Sequence, residues 1–259
     1  MSIDFLPALA ASSDGSSFIG EAWNSSQGLM DFLKALWNGF FTTPNIWVML
    51  KKASWETFYM VSVSSIVAGL GGIPLGVLLV TTRKGHVLGK IWPLNPMLAV
   101  IVNITRSVPF IIFMVAIVPL TTALVGASIG TKAAIVPLAL SAVVFTARLA
   151  ESAMMEVPYG LIEAAYSAGA NAWQIIWRVI LPESRSGLIQ AMTITIISLI
   201  GYSAMAGAVG GGGLGDLGVR YGYQRYKLDV MVATVVLLVV VVQAIQSAGD
   251  TLANKLNKK

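Results

Sequence analysis

Between Glu56 and Arg83 there is no charged side chain, and residues 57–82 are mostly apolar. The pattern returns at 107–131, 133–147, 186–215 and 230–249, each stretch ending at a charged residue. A helix needs about 20 apolar residues to cross a bilayer. The stretch 133–147 reaches that length by running past Arg148, because Lys132 and Arg148 can carry their charges to opposite interfaces. The other stretches are long enough as they stand. The chain is therefore expected to fold as an all-α, polytopic bundle of five transmembrane spans. Its composition agrees: 56% of residues are hydrophobic and only 11% are charged. Soluble domains carry about 25% charged residues, whereas a lipid-facing surface needs none.

The second stretch has an open start. Residues 91–105 are also uncharged and largely apolar, so Arg106 has room to sit inside the membrane rather than at its edge. Pro109 and Pro119 are expected to kink this helix. The N-terminal 54 residues differ. Residues 10–28 are rich in Ser, Gly and Asn and are expected to form a tail. Leu29, Phe32, Leu33, Leu36, Trp37 and Phe40 then recur at helical spacing, opposite Asp31, Lys34 and Asn38. That segment is too short and polar to span, and reads as an interfacial amphipathic helix or one packed on the bundle. The expected division is thus an N-terminal extension, 1–54, and a transmembrane domain, 55–259.

Several chemistries are excluded early. Without cysteine there are no disulfides or thiolate metal sites, and the single histidine, His86, argues against zinc or Ser-His-Asp catalysis. No His, Cys or paired carboxylate set falls at membrane depth, which disfavours a membrane enzyme. The nearest approach to a phosphate loop is Gly85-His86-Val87-Leu88-Gly89-Lys90-Ile91. It has one residue too few between its glycines, and Ile91 stands where magnesium needs a hydroxyl. ATP and magnesium would have to be bound by another polypeptide, and no cofactor is expected in this chain. A net charge of +5 does not point to nucleic acid here, since basic excess in membrane proteins usually anchors cytoplasmic loops. Residues 1–20 lack the basic start of a secretory signal. With the N-terminus outside, ten of the 17 lysines and arginines fall on the cytoplasmic side. That bias favours an outside N-terminus and a cytoplasmic C-terminus.

The most informative polar stretch is 148–187, expected in the cytoplasm between the third and fourth spans. Pro158 and Gly160 are expected to stop one helix, Leu161, Ile162, Ala165 and Ala168 to start another, and Gly169 to break it. Ile175, Ile176, Val179 and Ile180 resume apolar periodicity, and Leu181-Pro182 are expected to turn the chain back to the membrane. The spaced set Glu163-Ala164-Ala165, Gly169, Val179 and Leu181-Pro182 resembles the "EAA loop" of binding-protein-dependent ABC importer permeases. Val179 replaces the usual Ile. The resemblance implies a type I importer fold and a short helix that docks on a separate ATPase subunit. Ala164 and Ala165 would permit close approach. Glu163 would cap its own helix or pair with a basic residue of the partner, and Gly169 would allow the bend.

Two further runs, Asn103 to Ile112 and Gly201 to Gly215, are similar to the narrower group of methionine-uptake permeases. This resemblance covers about Trp55 to the C-terminus. It implies two permease copies with the path at their two-fold axis, two ATP-binding subunits, and a periplasmic or lipid-anchored methionine-binding protein, all in the inner membrane. Tyr202 and Ser203 would offer hydroxyls to the path, Met205 a soft polarizable surface, and Arg106 a cation that meets a substrate carboxylate or fixes its helix to lipid phosphate. The glycine-rich run 207–218 is expected to form a tight turn near the outer end of the fourth span. An importer of another amino acid or osmolyte remains the alternative. A secondary transporter would need no docking loop and usually has more spans.

Overall fold

The computed structural model describes residues 45–89 and 93–256. The amphipathic segment expected at 29–40 lies outside the described residues. In chain order the helices are α1 (Ile46–Thr81), α2 (Leu94–Ser107), α3 (Phe110–Ala116), α4 (Val118–Val125), α5 (Thr131–Met155), α6 (Tyr159–Ser167), α7 (Ala172–Ile175), α8 (Leu181–Glu183), α9 (Arg185–Ala208), α10 (Gly213–Leu217) and α11 (Leu228–Leu256). π-helical turns at Ile176–Ile180 and Gly218–Tyr223 follow α7 and α10. No strand occurs among the described residues.

Helices α1, α5, α9 and α11 are each long and apolar enough to cross a membrane. Their exposed apolar side chains, such as Leu70 on α1 and Val235, Val236, Val239 and Val240 on α11, are the surface a bilayer would cover. α1 starts well before the uncharged stretch, so it runs unbroken across the 54/55 boundary and carries Lys51, Lys52 and Glu56. At 36 residues it is about 54 Å long. That exceeds the roughly 30 Å of hydrocarbon, so its first turns hold those charges beyond the apolar layer.

The second span differs from a single kinked helix over 107–131. α2 and α3 meet at 103° and form a fifth crossing only as a broken pair. Pro109 causes the break. It has no N–H to donate, and it forces the residue before it out of helical geometry. Val108 accordingly has φ −85° and ψ 125°, and Pro109 itself has ψ 136°. Pro119 does no such damage, because it falls in the first turn of α4, where the missing donor costs nothing.

Small residues set the packing. In lipid there is little hydrophobic drive between helices, so close backbone approach and van der Waals contact hold a bundle. α1 lies against α5 along Gly72 and Gly76. A Cβ at Gly72 would stand 2.6 Å from the Thr146 Cβ and 2.8 Å from the Val143 carbonyl oxygen. At Gly76 it would stand 2.8 Å from the Ala147 carbonyl oxygen. α5 and α9 add a bond between the Thr146 and Thr195 hydroxyls, 3.1 Å. Overpacking of this kind costs about 1–3 kcal/mol. Gly72→Leu is therefore expected to lower the melting temperature of the purified protein, and an unchanged Tm would contradict this approach of α1 to α5.

Of the glycine run 207–218, only 209–212 form a turn between helices, and the rest is helical. α9 ends at Ala208, and Gly210, Gly212 and Gly213 have φ of 90°, 78° and 81°. Such left-handed backbone strongly favours glycine. The turn is pinned to α1. The Glu56 carboxylate accepts from Gly213 N–H at 2.9 Å, and the Thr57 hydroxyl accepts from Leu214 N–H at 2.8 Å.

Candidate functional site

The segment after α5 is built by local rules. α5 ends at Met155 and Pro158 caps α6. Gly160 does not stop a helix. It lies in the first turn of α6, and Pro158 alone supplies the break. α6 ends in a Schellman motif. Gly169, with φ 80°, donates its N–H to Tyr166 O at 2.9 Å, and Ala170 N–H donates to Ala165 O at 3.0 Å. Two residues later Asn171 and Gln174 form a capping box, each side chain accepting from the other's backbone N–H at 2.9 Å. A glycine that closes one helix and a box that opens the next fix the bend without help from a partner.

Leu181-Pro182 do not turn the chain back. The bonds Ser184 N–H to Ile180 O and Leu188 N–H to Ser184 O, 3.0 and 2.9 Å, carry one helical path from α7 through α9. Pro182 is absorbed by the π-turn before it. Leu181 N–H reaches Ile176 O, and this wider turn makes room where the proline ring would crowd its own helix. The reversals are at Val157-Pro158 and at Gly169.

This segment sits against the bundle through Ile162, Ile175, Ile176 and Ile180, which pack with Val80, Ala150 and Met154. Ala165 is half-buried in that contact, whereas Glu163 and Ala164 are exposed. Glu163 lies midway along α6, too far from its N-terminus to cap it. Among the described residues it makes no ion pair. Trp173 and Trp177 are also exposed, with ring centroids 5.6 Å apart.

One constellation was not anticipated. Glu151 of α5 is buried and accepts from two arginines: Arg83, past the end of α1, at 2.5 Å, and Arg148, one turn back on α5. Arg148 also donates to the Asn103 side chain on α2 at 3.0 Å. The Arg148–Glu151 spacing was visible as an i,i+3 pair. Arg83, 68 positions from Glu151, gives no sequence signal.

Of the expected path residues, Arg106 and Tyr202 come together. Both line a concavity of about 210 Å³ at the α2–α3 break. The Arg106 guanidinium lies 6.0 Å from the centroid of the Phe145 ring, and Tyr202 stacks on Phe110 at 4.7 Å and 9°. Ser203 and Met205 lie elsewhere. Ser203 is buried and donates to Ile200 O at 2.7 Å, and Met205 is exposed outside the concavity.

Comparison with known proteins agrees with this architecture. The family model described as "Binding-protein-dependent transport system inner membrane component" matches residues 72–259. A Vibrio cholerae protein named probable D-methionine transport system permease protein MetI is 53% identical over 211 residues, which is 82% of this chain and 93% of that one. Its Pasteurella multocida namesake is 46% identical over 217 residues, 84% of this chain and all of that one. A solved structure described as an inward-facing conformation of the MetNI methionine ABC transporter superposes with a TM-score of 0.81 at 46% identity, over 84% of this chain and 100% of the other. An amino acid ABC transporter at 14% identity shares the fold, with a TM-score of 0.69 over 83% of this chain and 98% of the other. The chain is thus an all-α, type I importer permease: it belongs to the inner-membrane components of binding-protein-dependent transport systems.

Proposed function

We propose that this chain forms the transmembrane path for methionine in an ATP-driven importer. Two copies would work with two ATP-binding subunits and a periplasmic or lipid-anchored methionine-binding protein. ATP and magnesium are held by the ATPase partner. The N-terminus lies outside and the C-terminus in the cytoplasm. The transport unit, expected over 55–259, takes in the whole of α1 from Ile46, and the residues before it are an added extension. The observation that carries the coupling is α6, opened by Pro158 and closed by the Schellman motif at Gly169, with Glu163 and Ala164 exposed. The names of the MetI relatives support methionine as cargo.

The mechanism is alternating access. ATP binding draws the ATPases together, and each α6 follows its ATPase. Because α6 packs through Ile162 on the ends of α1 and α5, its displacement moves the spans as levers. The inner gate closes as the outer opens. Arg106 and Tyr202 belong to the path, and exposed Met205 offers it a soft apolar surface.

The test is uptake of radiolabelled methionine by proteoliposomes that hold the chain with its cognate ATPase and binding protein, competed by other amino acids. Methionine should compete best. Stronger competition by another amino acid or an osmolyte would favour the alternative cargo. The double variant Glu163→Ala, Gly169→Val is expected to lose uptake by at least about tenfold, a loss equivalent to about 1.4 kcal/mol of coupling, while the chain still inserts. Full uptake by that variant would remove α6 from the coupling path.

A further inference from the structure

We propose that the concavity at the α2–α3 break is a transient subsite for an α-amino acid in transit, with Arg106 receiving its carboxylate. Thr105, Arg106, Phe110, Ser141, Phe145 and Tyr202 line it. No Asp or Glu lines it, and among the described residues Arg106 has no carboxylate partner. Arg83 and Arg148 behave differently, since they share Glu151. Ser141 and Phe145 straddle the middle of α5. The cation therefore stands at membrane depth, remote from lipid phosphate at either surface. An unpaired charge at that depth is costly and is normally held for an ionic function. The face of Phe145 offsets part of that cost.

The rest of the lining completes a zwitterion site. The Thr105 hydroxyl donates to Ile101 O at 2.9 Å and the Ser141 hydroxyl to Leu138 O at 3.0 Å. Each donor is spent within its own helix, so each oxygen is left to accept, which suits an ammonium group. Stacked Phe110 and Tyr202 and the Phe145 ring give an apolar wall for a side chain. The volume of about 210 Å³ suits a small solute. A guanidinium fork matches a carboxylate in two parallel bonds, which an ammonium cannot reproduce. Proline creates the site: only because Pro109 ends α2 does Arg106 face an open corner instead of another helical turn.

The assembly and transport follow the function proposed above, but the site itself requires only that an α-amino acid passes. The experiment is equilibrium binding of radiolabelled methionine to the detergent-solubilised permease–ATPase complex without binding protein, competed by methionine, methioninol, leucine and glutamine. Wild type is expected to bind methionine saturably, and methioninol, which lacks the carboxylate, should compete at least about tenfold more weakly. Arg106→Gln should weaken methionine binding about tenfold or more and remove the preference over methioninol. Arg106→Lys should fall between. Co-purification of the ATPase subunit reports that each variant folds, and Arg106→Lys carries the test if Arg106→Gln does not. No saturable binding by wild type, equal competition by methioninol, or unchanged methionine affinity in a folded Arg106 variant would each overturn the subsite. Arg106-dependent binding of leucine or glutamine in preference to methionine would keep the subsite and overturn methionine as the cargo.

Discussion

Replacing Glu151 with Ala is expected to destabilise the protein by about 3 kcal/mol, because it leaves two arginines facing each other with their shared counter-charge gone. Glu151 has a side-chain exposure of 5%, against 41% for Arg83 and 28% for Arg148. Removing one partner of a buried pair costs about 3–5 kcal/mol. Both arginines keep some water, so the lower end applies. The loss should appear as a fall in Tm of the purified protein. It should also be non-additive with Arg148→Ala, since that second change removes one of the stranded charges. Additive losses would mean that the cluster does not act as a unit. The cluster ties the ends of α1 and α5 to α2 through Asn103. It also lies beside the apolar contact that seats α6, where Val80 and Ala150 meet Ile162. Uptake should therefore fall in Glu151→Ala even where the chain still folds.

Gly207→Ala should be at least as damaging, although it adds one methyl group. A Cβ there would stand 2.3 Å from Asp216 N and 2.8 Å from the Gly215 carbonyl carbon. Both are backbone atoms, which cannot rotate away, so α9 and α10 would have to separate. The cost is about 3 kcal/mol, at the upper end for overpacking. Separation would also strain the bonds from α10 to Glu56 and Thr57 on α1. Gly201→Ala on the same helix is the control. Nothing lies within 4 Å of its added Cβ, and alanine favours helix over glycine by up to about 1 kcal/mol. Its Tm should hold or rise. Equal losses in the two variants would indicate a general effect of α9 substitution, not the α9–α10 contact.

Much of the site was legible in the sequence because it is local. The Schellman glycine at Gly169, the break at Pro109 and the turn at Gly210–Gly213 each follow from backbone limits of one or two residues. Three local expectations failed for equally local reasons. Pro119 falls harmlessly in the first turn of α4, Gly160 is tolerated in the first turn of α6, and a π-turn shelters Pro182 within a continuous helix. Periodicity alone does not reveal a register change of that kind. The uncharged stretch 57–82 marked the span but not the extent of α1, since Lys51, Lys52 and Glu56 ride on a helix longer than the membrane is thick.

Taken alone, the sequence determined that the chain is a helical membrane protein with a polar segment at 148–187, and that Glu163 and Gly169 fall in that segment. Hydrophobic length, proline and glycine act within one stretch of chain, so one stretch suffices to show them. Only the tertiary structure decided which charges are paired and which are free. Glu151 gathers Arg83 from 68 positions away, while Arg106 faces a concavity with no acid in its wall. Only it decided, too, that Tyr202 joins Arg106 there while its neighbour Ser203 turns into the core. Successive residues on a helix point about 100° apart, so which of two hydroxyls meets the cavity depends on how α9 is rotated against α3 and α5, and packing alone sets that rotation.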